Sequence, residues 1–219
     1  LKSPKKVDAV AIADYDVLFY PGGHGPMEDL AVDADSGQLI VDAVKSNTTL
    51  GVLCHAPAAL LAANDTSTGD WVLKGRRMTG FANSEEELSH LADRAKWLVE
   101  TRLVELGAEY SKAPEPFASH IVVDGQLYTG QNPASSVAVA ERIVADVQRR
   151  APSQQLPTLT LSFGMVQMGF GEGIRAAMRR ADQAMYEAKR QGRSRAVTAA
   201  GDETQPVFSK GQRLGLAPA

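Results

Sequence analysis

A single cysteine in 219 residues leaves no partner for an internal disulfide, which fits a reducing compartment. No run of about 18 apolar residues exists to cross a bilayer as a helix. Nor is there a strong excess of one charge: 23 basic against 26 acidic side chains give a net charge of −3, which argues against a whole-protein polyanion binder. The amino terminus lacks the basic-then-apolar pattern of a secretory signal, so a cytoplasmic protein is expected. The chain opens on Leu1 rather than Met, in a polar Lys-Ser-Pro-Lys-Lys segment, and is expected to be processed or a piece of something longer. A hydrophobic content of 44 % is ample for one generous domain, or one domain plus a fragment.

Strand and helix signals alternate through the first two-thirds. Val17-Leu-Phe-Tyr20 is an apolar run stopped by Pro21-Gly22-Gly23, and Asp35 or Ser36 caps a helix with Leu39, Ile40, Ala43 and Val44 on one face. A second strand around Val52 makes a strand–helix–strand order that builds a parallel sheet, hence an α/β protein. Gly75 to Phe81 reads as a short strand, Glu85 to Gly107 as mostly helical, and Ile121 to Thr129 as a hairpin turning at Asp124-Gly125. Asn132-Pro133 opens a helix with Val137, Ala140, Val144 and Val147 on its apolar face. Residues 150–157 have linker composition. Beyond them Thr158 to Phe163 alternates as a strand, Gly173 to Lys189 is a helix with Ile174, Met178, Ala181 and Met185 on one face, and the chain from 199 onward is disordered in composition.

The one cysteine stands at the most informative place. In Gly51-Val-Leu-Cys-His-Ala-Pro57 an apolar strand gives way to a helix-start signal, so Cys54 falls at a strand–elbow–helix turn. A side chain there projects from the carboxyl edge of the sheet, and the helix N-terminus and the neighbouring imidazole of His55 both favour a thiolate. A lone cysteine is by default a small buried apolar residue, but its position and His55 favour a nucleophile. Three further segments could converge on it. Pro21-Gly-Gly-His-Gly25 can bring backbone amides close to a ligand, or be only a tight turn or anion nest. Thr79 to Glu87 brings three consecutive glutamates, one of which could orient an imidazole, or which together form a solvated first helical turn. Thr129-Gly-Gln-Asn-Pro-Ala-Ser135 reads as a helix cap.

Taken together these four motifs, in order across about residues 15–147, resemble the PfpI/ThiJ superfamily of class I glutamine-amidotransferase-like proteins, closest to its heat-shock chaperone and glyoxalase III branch. The resemblance implies a flavodoxin-like three-layer sandwich with a mainly parallel sheet over residues 1–149, Cys54 as nucleophile, His55 as acid/base, and Glu86 as orienting carboxylate, with Glu85 or Glu87 as alternatives. Gly22, Gly23 and His24 would form the oxyanion and substrate-binding loop, with the amides of Gly23 and His55 as oxyanion donors. It implies cofactor-independent conversion of methylglyoxal to the hydroxy acid, with lyase, hydratase, hydrolase, amidase-like or deglycase chemistry, and no metal or cofactor. Expected partners are a small aldehyde substrate, misfolded protein clients if the chain is instead a noncatalytic holdase, and a second copy in a homodimer; nucleic acid and membrane are not expected. Family members carry, before the segment that starts here at Val10, a strand and a helix with a glutamate that hydrogen-bonds the cysteine; without them the sheet is expected to expose an unpaired edge. At Ala56 many relatives have glycine.

Leu159 to Gly164 and Arg180 to Arg193, with its Ala-Asp-x-Ala-Met-Tyr-x-Ala-Lys-x-x-Gly-Arg string, resemble the last strand and helix of GGDEF diguanylate cyclase domains over about residues 158–198. The resemblance implies that Lys189 and Arg193 are a vestigial phosphate-binding pair. The signature loop and the metal-binding aspartates of that family do not occur here, so cyclase activity is not expected; a degenerate regulatory fragment, or a join of pieces of two genes, is the remaining reading. Nucleic-acid binding by this basic stretch is disfavoured because no aromatic platform accompanies it.

Overall fold

The computed structural model describes residues 4–154, 162–166, 174–192 and 195–199. The chain divides into two compact units, Leu1–Ile143 and Val144–Ala219.

In the first unit the apolar run Val17–Tyr20 forms strand β1. A single-turn helix α1, Gly25–Glu28, is followed by α2, Ala34–Lys45. The cap of α2 is Asp33 rather than Asp35 or Ser36: its carboxylate accepts the Ser36 N–H at 2.6 Å, the third amide of the helix. The helix buries Leu39, Ile40, Val41 and Ala43. Strand β2, Thr49–Leu53, is buried at every position. It is the inner strand of a four-stranded sheet, parallel to β1 on one side and to β6, Leu127–Gly130, on the other. Strand β5, Ile121–Asp124, pairs antiparallel with β6, and Asp124 faces Leu127, so the hairpin loop is Gly125-Gln126. The turn thus lies one residue beyond the expected Asp124-Gly125. Strand β1 is one edge of this sheet among the described residues.

Between β2 and β5 lie a 3₁₀ segment at Ala56–Ala62, strand β3 at Arg77–Met78, helix α3 at Asn83–Leu88, helix α4 at Val99–Glu105 and strand β4 at Glu109–Tyr110, with β3 and β4 paired in parallel. The helical pattern expected over Glu85 to Gly107 is broken. His90 takes φ +56°, the left-handed conformation that stops α3, and only a short 3₁₀ turn at Ala92–Arg94 precedes α4. The core of this unit gathers Ile40, Leu50, Val52, Leu60, Leu73 and Met78.

Helix α2 rests directly on the segment that follows Cys54. A Cβ placed at Gly37 would lie 2.3 Å from the carbonyl oxygen of Ala62, a backbone atom that cannot rotate away. Gly37→Ala is therefore expected to destabilise by about 3 kcal/mol, the range for forcing extra atoms into a packed core, although alanine is intrinsically the better helix residue by about 1 kcal/mol. Urea unfolding checks the sign: a more stable Gly37→Ala would mean the two elements are not in this contact.

Asn132 caps a 3₁₀ turn at Pro133–Ser135 that leads into helix α5, Ser136–Gln154. The buried apolar positions of α5 are Val139, Ala140, Ile143, Val144 and Val147; Val137, expected on that face, is only half-buried, because the stripe follows the 139–140–143 spacing. The helix continues to Gln154, through the first residues of the expected linker. In the second unit, β7 at Ser162–Met165, helix α6 at Ile174–Arg190 and β8 at Arg195–Thr198 form a β–α–β element with the two strands parallel. Strand β8 went unanticipated, being four residues of weak pattern. On α6, Ala184 and Ala188 are buried, whereas Met178, expected on the apolar face, is 65 % exposed. Met178 lies six residues before Ala184, which puts it about 120° around the helix from that buried position. Expected strand residues 158–161, Gly173, Arg193 and most of the tail lie outside the described residues. No helix among the described residues is long and apolar enough to cross a membrane.

Candidate active site

Cys54 follows β2 directly and takes φ +61°, a conformation that L-residues other than Asn and Asp rarely adopt. Backbone contacts on both sides hold it there. Its N–H donates to Gly130 O at 2.8 Å, at the end of β6, and its carbonyl accepts the Phe81 N–H at 2.8 Å. The turn points the side chain out of the sheet's carboxyl edge, the place where ligands meet parallel α/β sheets. The thiol is 9 % exposed.

The loop after β1 closes on it. Gly22 has φ +100°, and a Cβ there would sit 2.6 Å from Leu53 O and 3.1 Å from Cys54 Cβ, so only glycine allows the loop to approach this closely. That approach brings the Gly23 N–H to the cysteine sulfur from one side while the His55 N–H reaches it from the other. His24, next in the loop, is half-exposed, and its ring centroid lies 3.8 Å from that of His55.

Sulfur, imidazole and carboxylate form a line. Cys54 Sγ is 3.2 Å from His55 Nδ1, and His55 Nε2 is 2.6 Å from Glu86 Oε2. The second carboxylate oxygen, Oε1, is 2.9 Å from His24 Nε2. An Nε2–H donated to Glu86 leaves Nδ1 as an acceptor facing the thiol, which is the tautomer a base requires. Of the three consecutive glutamates, Glu86 alone reaches the imidazole. Glu87 is exposed. Glu85 is fully buried and turns the other way: its carboxylate accepts the N–H of Ala82 at 2.9 Å, that of Phe117 at 2.8 Å and the side-chain amide of Asn132 at 2.7 Å.

Burial pushes the Cys54 thiol up to about 12, with the N–H groups of His55 and Gly23 pulling the other way and the Glu85 and Glu86 charges adding to the rise. The expected thiolate-favouring elbow is thus outweighed by desolvation. Burial lowers His55 below the ordinary imidazole value, partly offset by its hydrogen bond to Glu86. Burial alone would raise Glu86, but hydrogen bonds to His24 and His55 leave it net lowered. The site at neutral pH is therefore a thiol, a neutral imidazole and a carboxylate. Alkylation of Cys54 by iodoacetamide is expected to be slow at pH 7 and to accelerate as pH climbs toward 12; a rate already at its plateau near neutrality would contradict this electrostatic picture.

His24, His55 and Glu86 are also the one set of described residues placed to hold a cation, their ligand atoms lying within 4.8 Å of one another. The same nitrogens hydrogen-bond the carboxylate. Two aromatic residues not singled out in the sequence complete the surroundings. Phe81 stacks on His55 with centroids 4.2 Å apart, and Phe117 lies 6.2 Å from Phe81. The available signal for Phe117 was a lone aromatic in the Pro- and Ser-containing stretch 111–120. The motif Thr129 to Ser135 does more than cap: Gln131 Oε1 accepts the Ala113 N–H, Asn132 Nδ2 donates to Ala118 O, and Ser135 Oγ accepts the His120 N–H, so it fastens that whole loop. In the second unit Lys189 is exposed near the end of α6, while Arg193 lies outside the described residues.

A mainly parallel sheet with a buried cysteine on a positive-φ elbow, beside an imidazole and a carboxylate, defines an α/β protein of the flavodoxin-like class. The chain belongs to the DJ-1/PfpI family, whose model matches residues 2–146. The diguanylate cyclase GGDEF domain model matches residues 127–195. Glyoxalase 3 of Candida albicans is 31 % identical over 149 residues, covering 66 % of this chain and 63 % of that protein. Its crystal structure superimposes with a TM-score of 0.59 over 64 % of this chain and 60 % of that one, at 29 % identity. The glutathione-independent glyoxalase HSP31 of Saccharomyces cerevisiae is 30 % identical over 66 % of this chain and 61 % of its own length. The 24 kDa rapid encystment protein of Francisella tularensis gives a TM-score of 0.60 at 34 % identity, over 64 % of this chain and 61 % of that one. The chain spans a little over three-fifths of the length of these relatives.

Proposed function

We propose that the first unit converts methylglyoxal and related small 2-oxoaldehydes to the 2-hydroxy acid without glutathione or another added cofactor. The observation that carries this reading is the line Cys54 Sγ–His55 Nδ1–Glu86, at 3.2 Å and 2.6 Å, in a chain whose relatives include proteins named glyoxalase 3 and glutathione-independent glyoxalase.

With so little standing thiolate, attack and proton transfer run together. His55 Nδ1 takes the thiol proton as sulfur bonds to the aldehyde carbon; the N–H groups of Gly23 and His55 donate to the developing oxyanion, which then takes that proton back from the imidazolium to give a hemithioacetal and a neutral His55. The imidazolium formed is stabilised by Glu86, the role a buried carboxylate plays behind a base. His55 then removes the proton on C1 and delivers a proton to C2, while the C1 hydroxyl proton passes to the C2 oxygen, so the C1 hemithioacetal becomes a thioester as the C2 carbonyl becomes an alcohol. Water cleaves the thioester, releasing the hydroxy acid and restoring the thiol. The net change is addition of one water, with no external oxidant or reductant.

The base works only while neutral. Because burial lowers His55, kcat/KM is expected to fall on the acid side only below the ordinary imidazole value of 6.5, and to stay level through neutrality. A stopped assay of lactate formation against pH, with the fold followed by circular dichroism, checks this. Inactivity of a folded chain, together with suppression of client aggregation that survives Cys54→Ala, would transfer the reading to a noncatalytic holdase.

A further inference from the structure

His24, His55, Phe81 and Phe117 form a row of rings with successive centroids 3.8, 4.2 and 6.2 Å apart. The first two face the thiol and its carboxylate. Phe81 is buried at 7 % exposure, but Phe117, at the outer end, keeps 45 % of its surface open. A single exposed apolar residue ordinarily needs no explanation. This one does, because of how it is held. Phe117 takes φ +62°, a conformation strained for a bulky residue, and its N–H is fixed by Glu85, a fully buried carboxylate. Glu85 is in turn fixed by Asn132, which also grips Ala118 O on the other side of Phe117. A buried anion and a buried amide thus converge on two adjacent backbone positions and keep an aromatic ring in edge-to-face range of Phe81.

Resting on the glyoxalase reading above, we infer that Phe117 is a specificity-determining residue: its open face, continuing the row from His55, binds the C2 substituent of the oxoaldehyde and favours aryl and other bulky apolar substituents over methyl. Glu85 is the positioning residue that keeps the ring there. The arrangement has the form expected of a recognition surface, a rigid aromatic presented by a loop that is itself locked from behind.

Two readouts test this on the full chain. The first is the ratio of kcat/KM for phenylglyoxal to that for methylglyoxal. It is expected to fall about tenfold or more in Phe117→Ala, within the range for losing an apolar substrate contact, to fall also in Phe117→Gly, which relieves the backbone, and to be kept in Phe117→Tyr. Glu85→Gln is expected to lower the ratio in the same direction, with no further loss when combined with Phe117→Ala. The second readout needs no turnover: the rate at which 2-bromoacetophenone alkylates Cys54, relative to chloroacetone. This is clean because the chain has one cysteine. The aryl preference is expected in the parent and lost in Phe117→Ala. An alkylation preference without turnover would uphold the aromatic wall while sinking the glyoxalase reading. Equal changes for both substrates and both alkylating agents, or no change in either ratio, would overturn the role of Phe117.

Discussion

Replacing Cys54 with alanine is expected to reduce lactate formation from methylglyoxal to the uncatalysed rate, a loss on the order of 10³-fold or more, since no covalent hemithioacetal can form. The fold is expected to remain. Alanine occupies the same φ +61° position with the same Cβ, and the two backbone hydrogen bonds that hold the elbow, to Gly130 O and from Phe81 N–H, do not involve the side chain. Cys54→Ser is expected to be nearly as inactive, because a hydroxyl is a weaker nucleophile and harder to deprotonate in a site that already pushes the thiol up to about 12. Circular dichroism beside the lactate assay separates lost chemistry from lost fold. Retained turnover in Cys54→Ala would remove the thiol from the mechanism.

Glu86→Gln is expected to lower kcat/KM by about 10⁴-fold, the scale seen when the carboxylate behind a catalytic imidazole is replaced by its amide. At 2.6 Å from His55 Nε2 and buried, Glu86 is placed to stabilise the imidazolium that the proposed proton transfer from the thiol would create. The amide removes that charge and offers an N–H₂ where His24 or His55 requires an acceptor. Losing the nearby negative charge lowers the imidazole further, so the acid limb of the residual activity is expected to move to lower pH. A residue that served only packing would not shift that limb. Unfolding stability is expected to change little, since neutralising a buried carboxylate also removes its desolvation cost. An unshifted limb with near-parental kcat/KM would exclude Glu86 from the proton pathway.

Much of this architecture is legible in the amino-acid order because it rests on local patterns. The run Val17–Tyr20, the buried stretch ending at Leu53 and the Asn132-Pro133 start each carry their own signal, and Cys54 stands where one pattern gives way to the next. What stays hidden depends on distance along the chain. Three glutamates in a row look alike until helix phase sends Glu85 inward to Phe117, 32 residues on, and Glu86 to His55, 31 residues back. Asp33 caps α2 across three residues, a choice that composition alone could not separate from Asp35. The left-handed His90 that splits the expected long helix gives no composition cue. Least legible is the state of the thiol. A cysteine beside a histidine at an elbow suggests a thiolate, and only the burial of the assembled site reveals that desolvation wins. For that reason the thiol proton is proposed to pass to His55 during attack rather than before it.

The most direct measurement is to incubate the metal-free chain and Cys54→Ala with methylglyoxal in deuterated water and to read the products by proton NMR. Lactate is expected from the parent alone, with its methyl signal collapsed by deuterium at C2, because the proton on C1 leaves to an exchangeable imidazole and C2 is protonated from the same site. No lactate from a folded parent, or lactate formed equally by Cys54→Ala, would contradict the thiol mechanism.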